Sequence, residues 1–265
     1  MATLSGMRRR GYPAAAIRNF CEKIGVSKAY SVVDYGLLES CVRDELNANA
    51  ARAMAVLRPL KVVIDNYPEG QTETLDVEIH PDHPEMGTRK VTFGKTLYVE
   101  QEDFMVEPVK KYFRLFPGNE VRLKSAYFVK CVGFDTDENG NVTCVHCTYD
   151  PESRGGNSPD GRKVKGTLHW VSEADSFKAE VRLYDRLFNK ENPSDESAGA
   201  FTENLNPESL VVLKDCLVEG GLKEGLKVGD TFQFMRQGYF CVDITSTDDT
   251  VVFNRTVQLN SSWGK

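Results

Sequence analysis

The sequence predicts a mainly β protein, in which a short helical subdomain precedes two small β-barrels in tandem. Three observations carry this. Apolar residues recur at helical spacing only as far as about Leu46. Around Arg52 the apolar period changes from about 3.6 to about 2. Beyond it come many short alternating runs separated by turn residues, a spacing that points to barrels or sandwiches.

The elements follow in order. Pro13 is a good first helical residue and Gly25 a good stop, with Ile17, Phe20, Cys21 and Ile24 forming one apolar face between them. Ser31 with Asp34 resembles a capping box, and a second helix is expected to about Leu46. Leu38, Cys41, Val42 and Leu46 are its buried stripe, and Asn47 and Asn49 are expected to end it by competing for backbone hydrogen bonds. Two such helices are too small to bury a large core alone, so they must rest on something else. Met54, Val56, Leu60, Val62 and Ile64 belong to extended segments, with Pro59 at a kink or edge. Alternation then marks Leu75 to Ile79, Val91 to Phe93 and Leu97 to Val99. Val121 to Cys131 reads as one long strand with a phase change. Asn139-Gly140 signals a hairpin leading into Val142, Cys144 and His146. Pro151 to Gly161 is a loop by composition, and Phe188 to Ser209 a long polar excursion. Val164 to Trp170, Ala179 to Leu183, Leu210 to Leu213, Phe232 to Phe234, Tyr239 to Val242 and Val251 to Phe253 complete the β-rich second half.

Composition narrows the function classes. The chain has 265 residues, 40% hydrophobic and 27% charged, as in ordinary globular proteins. No apolar run approaches the roughly 20 residues that span a bilayer, so no membrane partner is expected. MATLSGMRRRGY lacks the apolar core of a secretory signal, and seven scattered cysteines fit reduced thiols, so a cytoplasmic location is expected. The net charge of −6 is not the footprint of an indiscriminate nucleic-acid binder. Basic residues nevertheless cluster: Arg8, Arg9, Arg10, Arg18, Lys23 and Lys28 against Glu22, and Lys110, Lys111, Arg114, Arg122, Lys124 and Lys130 against Glu120. Local basic faces on an acidic chain suit one specific RNA partner, although two solvated faces would read the same way.

Most catalytic signals dissolve on inspection. Cys144 and Cys147 in CVHC fit half a zinc site, but no second pair exists, and strand positions three apart face opposite ways. His80 and His83 sit in a proline-rich turn with no third ligand. Gly94-Lys95-Thr96 lacks the glycine that a phosphate loop needs at position 89, which is Arg. No metal, no cofactor and no catalytic residue is expected. Arg52, beside Asn47 and Asn49, could read a base edge through planar hydrogen bonds, or could simply face a helix C-terminus.

GMRRRGYPAAAIRNFCEKIGV, LESCVRDELNANAARAMAVLRPLKVVI, GRKVKGTLHWV, EVRLYDRLF, GYFCVD and VFNRTV occur in the order found in bacterial glutaminyl-tRNA synthetases. The chain resembles their anticodon-binding region over essentially its whole length. The resemblance implies a helical connector over 1–52 and two six-stranded antiparallel barrels. These are a proximal one over 53–165, to which 251–265 returns, and a distal one over 166–250. In the family the helical part lies against a preceding catalytic domain. Neither the HIGH nor the KMSKS-type motif is present, so this chain alone is not expected to activate glutamine. ATP and Mg would belong to a full enzyme, a class I glutamine–tRNA ligase. The implied partners are the tRNA for glutamine and the catalytic domain, with the chain a monomer.

The family's recognition residues carry over as follows. Arg52 matches the arginine of the middle-base pocket, and Gln233 and Arg236 its other walls. Arg114 matches the arginine for the third base, although Phe113 stands where the family often has lysine. Arg122 and Lys124 match two basic residues at the first base. Asn47 matches an asparagine near the 3′ side of the anticodon loop, Asp82 departs from a second one, and Lys28 matches a lysine reaching the inner corner of the tRNA. Two other readings fit the residues: the same region of a glutamyl-specific enzyme of archaeal or eukaryotic type, and a β-sandwich binding module without an RNA role.

Overall fold

A computed structural model describes residues 3–29, 31–158, 160–190, 192 and 200–260. Three α-helices come first: α1 (Leu4–Arg10), α2 (Ala14–Ile24) and α3 (Tyr35–Asn49). The pattern reading misses α1, because seven residues with few apolar side chains give no stripe to detect. Its ends are nonetheless specified locally. The Thr3 hydroxyl accepts from the Gly6 amide, and Gly11 closes the helix in the left-handed region at φ 93°. Pro13 is the N-cap of α2, and the Asp34 carboxylate caps α3 by accepting from the Gly36 amide at 2.8 Å. Against expectation, α3 runs through Asn47 to Asn49. The Asn49 amide donates back to the Glu45 carbonyl at 2.9 Å, so here the side chain joins the helix rather than breaking it.

The strands are β1 (Ala51–Ala53), β2 (Ala55–Val56), β3 (Pro59–Ile64), β4 (Thr72–Glu78), β5 (Thr88–Gly94), β6 (Thr96–Glu100), β7 (Glu120–Leu123), β8 (Phe128–Thr136), β9 (Val142–Asp150), β10 (Thr167–Leu168), β11 (Val171–Ser172), β12 (Phe177–Tyr184), β13 (Leu210–Val218), β14 (Thr231–Phe234), β15 (Gly238–Val242) and β16 (Val251–Val257). One sheet runs β10-β7-β8-β9-β3-β6-β11, another β1-β14-β15-β16-β12-β13-β2, and β4 pairs β5 as a separate ribbon. In each large sheet the two outermost strands come from almost adjacent residues: β10 and β11 flank His169 and Trp170, and β1 and β2 flank Met54. Each sheet therefore curls until its edges nearly meet, as in a barrel. The sheets have seven strands rather than six. They are mixed rather than antiparallel, because β10 pairs β7, β3 pairs β9 and β12 pairs β16 in parallel.

The chain divides into two compact units, one of residues 1–52, 179–214 and 227–265, the other of 53–178 and 215–226. This corrects the expected return of 251–265 to the first barrel. β16 pairs β12 and β15 instead, and so belongs with the second barrel. Alternation marks a strand but is blind to its partner. A second correction concerns Val121 to Cys131. The phase change is a tight turn between β7 and β8, with Ser125 at φ 59° and the Ala126 amide bonded to the Leu123 carbonyl. Residues 191 and 193–199 of the long excursion lie outside the described residues, and so do 261–265.

The helices rest on their own barrel. Tyr12, Ala16, Leu38, Cys41, Val42, Leu46 and Ala50 form one apolar cluster with Tyr239 of β15 and Val257 of β16. In the other unit the core is built around Trp170, Phe93, Phe128, Leu97 and Leu123, all essentially inaccessible. Among the described residues, no helix is long and apolar enough to cross a membrane.

Candidate nucleic-acid interface

The predicted residues fall into two groups, one in each unit, and Lys28 belongs to neither. In the first group three neighbouring strands present one residue each: Arg52 on β1, Gln233 on β14 and Tyr239 on β15. Gln233 lies directly opposite Tyr239, so the two share a face. The last turn of α3 adds Asn47. Its side-chain oxygen accepts from Arg52 Nη2 at 3.0 Å and from the Tyr239 hydroxyl at 3.1 Å. Arg52 Nη2 also donates to the Asn47 carbonyl at 3.1 Å. The helix-terminus reading of Arg52 thus holds for one nitrogen of the guanidinium. Its other nitrogen, Nη1, is buried without a hydrogen-bond partner. A buried donor left unpaired costs about 1–3 kcal/mol, so such a group is a sign of a missing acceptor.

Two members of this group were not singled out from sequence. Tyr239 is one; its position across from Gln233 becomes visible only once the β14–β15 register is known. Arg43 is the other; it lies four residues before Asn47 on α3, and its Nη1 is likewise buried without a partner. Burial pushes the Tyr239 hydroxyl pKa up, while the charges of Arg52 and Arg43 draw it back down. Arg236 sits in the turn joining β14 to β15 at φ 67°, a left-handed conformation uncommon for any residue with a side chain.

In the other unit the second group lines β7 and the segment before it. Arg114 Nη1 is fixed by the Glu102 carbonyl at 3.1 Å and by the fully buried Asp103 carboxylate at 3.3 Å. Arg122 lies opposite Phe128 and Thr167, with its guanidinium 5.3 Å from the Phe128 ring centre and its Nε buried without a partner. Gly156, at φ 84°, leaves room for it; a Cβ there would come within 3.1 Å of Arg122 Cδ. Lys124 is half-buried, and its carbonyl accepts from the Trp170 indole at 3.0 Å. Glu120, counted above as the acid opposing this group, is instead held by Arg162 at 3.0 Å, and Arg162 also lies 5.0 Å from the Phe128 ring. Arg162 is a further residue that spacing did not reveal. Phe113, where a lysine was missing, is exposed and carries Lys165 over its ring at 5.1 Å.

Not every basic residue serves a surface. Arg10 is buried and donates to the Arg255 and Tyr184 carbonyls, and Arg9 pairs with the buried Asp243 at 2.8 Å. Two cations of the first basic cluster are thus structural. Lys28 is exposed in the connection between α2 and α3, and Asp82 is exposed in the turn after β4.

The chain is similar to known proteins along its whole length. Residues 50–150 match a family model described as tRNA synthetases class I (E and Q), anti-codon binding domain, and residues 167–243 match a second model of the same description. A glutamine–tRNA ligase of Bradyrhizobium diazoefficiens is 56% identical over 265 residues, covering 100% of this chain and 47% of that protein. Those of Clostridium kluyveri and Aliivibrio salmonicida are each 52% identical over 264 residues, covering 99% of this chain and 47% of theirs. The chain spans about half the length of the curated relatives it matches.

Proposed function

The chain belongs to the class I tRNA synthetases (E and Q) through their anticodon-binding domains, and we propose that it reads the anticodon of the tRNA for glutamine. The observation that carries the reading is Arg52 Nη1, a buried donor without a partner on a guanidinium already oriented by Asn47. Single-stranded RNA is read by splaying bases apart and bonding their Watson–Crick edges. A uracil at the middle position offers a carbonyl acceptor to Arg52. Gln233 can both accept from and donate to such a base, and Arg236 closes the third side. Arg114 takes the third base, and Arg122 with Lys124 the first. Asn47 acts through Arg52 and Tyr239, whereas Lys28 contacts phosphate. In a full enzyme this region serves an ATP- and Mg-dependent ligation of glutamine to its tRNA. The 265 residues carry neither nucleotide motif, so no glutamine-dependent ATP–pyrophosphate exchange is expected from this chain.

The test is a double-mutant cycle between Arg52→Ala or Arg114→Ala and each anticodon base. Each arginine should couple to one base, with a loss of about 1–3 kcal/mol that vanishes once that base is wrong. Lys28→Ala should weaken all tRNA variants alike and lower the salt slope by about one. Equal coupling of Arg52 to all bases would return it to a helix-capping role. Tighter binding of the tRNA for glutamate would assign the region to the glutamyl-specific reading.

A further inference from the structure

We propose that Asp135, Cys144 and His146 form a surface site for a zinc-like divalent cation, independent of the RNA-facing groups. Among the described residues they are the one group of three whose ligand atoms lie close together, within 4.8 Å of one another. The β8–β9 hairpin creates the arrangement. Cys144 and His146 are two apart on β9 and so share a face, and Asp135 lies directly opposite Cys144 on β8. Val145 and Cys147 fill the buried face, which is why the CVHC spacing itself is not the site. The sulfur that counts is paired with the adjacent histidine and a carboxylate from the next strand.

The geometry is close to what the metal needs. Tetrahedral zinc, with bonds of about 2.0–2.3 Å, sets its ligand atoms about 3.3–3.6 Å apart. Asp135 Oδ2 and His146 Nε2 already stand 3.0 Å apart. Behind the ring, Asp65 lies 3.1 Å from His146 Nδ1. A carboxylate in that position fixes the tautomer of a metal-binding histidine, directing the Nε2 lone pair to the metal. An imidazolium between Asp65 and Asp135 would explain the two carboxylates, but would leave no role for Cys144. One sulfur, one nitrogen and one oxygen suit zinc or cobalt better than magnesium or calcium. Asp135 is exposed and the other two half-buried, so an ion can reach the site and water can hold its fourth position. On binding, the Cys144 thiol releases its proton to solvent as the sulfur–metal bond forms, and nothing is oxidised or reduced.

The experiment is a titration of the reduced, metal-free chain with cobalt(II), followed by absorbance. One cobalt per chain should give a thiolate charge-transfer band in the near ultraviolet and visible bands of four-coordinate intensity, and zinc should abolish both. Cys144→Ser should remove the charge-transfer band, and His146→Gln should weaken cobalt binding at least tenfold. Asp65→Asn should keep the spectrum while weakening binding about 10–100-fold. Cys21→Ser removes the exposed thiol of α2 and should change nothing. Unfolding midpoints without metal establish that each variant is folded. Absence of a thiolate band at stoichiometric cobalt, or its survival in folded Cys144→Ser, overturns the proposal.

Discussion

Arg236 holds a left-handed backbone in a tight turn where glycine would fit without strain. Such strain persists at functional positions at about 1–3 kcal/mol. Arg236→Gly should therefore be neutral or stabilising in urea denaturation, while weakening binding of the glutamine tRNA. A loss of stability together with affinity would mean that the side chain is structural. Asp243 gives the pH-dependent case. Burial would push its carboxyl up, but hydrogen bonds from Arg9, Thr245 and Asn254 outweigh that and hold it well below the usual carboxylate range. Its stabilisation is fully present above the unfolded value of about 3.9 and is lost as pH falls toward the folded one. Asp243→Asn should cost about 3 kcal/mol near neutrality, since it breaks a buried charge pair, and the gap to the parent should shrink as pH drops below about 4. Denaturant midpoints at pH 7, 5 and 3 check this. At this scale the sequence was legible for Arg52 as the cation at the C-terminus of α3, because its place just after the helix is local. It was not legible for Arg9 and Arg10, because a run of arginines does not say which one faces inward. Nor was it for Arg43 and Tyr239, which join the group only through the folded register.

Among the three α-helices, α1 is the one that pattern did not show, and its seat is tight. Gly11 ends it so close to β15 that a Cβ would fall 2.4 Å from Cys241 Cβ and 2.7 Å from Thr256 Oγ1. Gly11→Ala thus combines a left-handed penalty with overpacking, and should destabilise by about 2–4 kcal/mol. A lowered urea midpoint with unchanged slope checks it. Strands were legible wherever one face is buried, as in β3 with alternate buried residues, because that alternation is the burial itself. Their neighbours were not legible. Three parallel pairings join strands distant in sequence, and no local pattern encodes which ones meet.

For the whole molecule, the division into two barrels and a helical start could be read from period and turn spacing, but the ownership of the last strand could not. β16 supports α1 directly: Asn254 Nδ2 donates to the Arg9 carbonyl at 3.2 Å and Thr256 Oγ1 to the Arg10 carbonyl at 2.7 Å. Removing residues 251–265 should therefore disorder α1 and its barrel, while the unit around 53–178 keeps its near-ultraviolet Trp170 signal. Loss of that signal in the truncated chain would mean that the two units unfold together. The same bonds set an order of events on the ribosome. Arg9 and Asn254 are 245 residues apart. At about 5–20 residues per second, α1 waits roughly 12–50 s for the strand that receives it. The unit begun second, whose residues end at Leu226, is fully translated before that strand is made. Within these residues the usual vectorial order is inverted: α1, made before either barrel, finds its seat only after the intervening unit is complete.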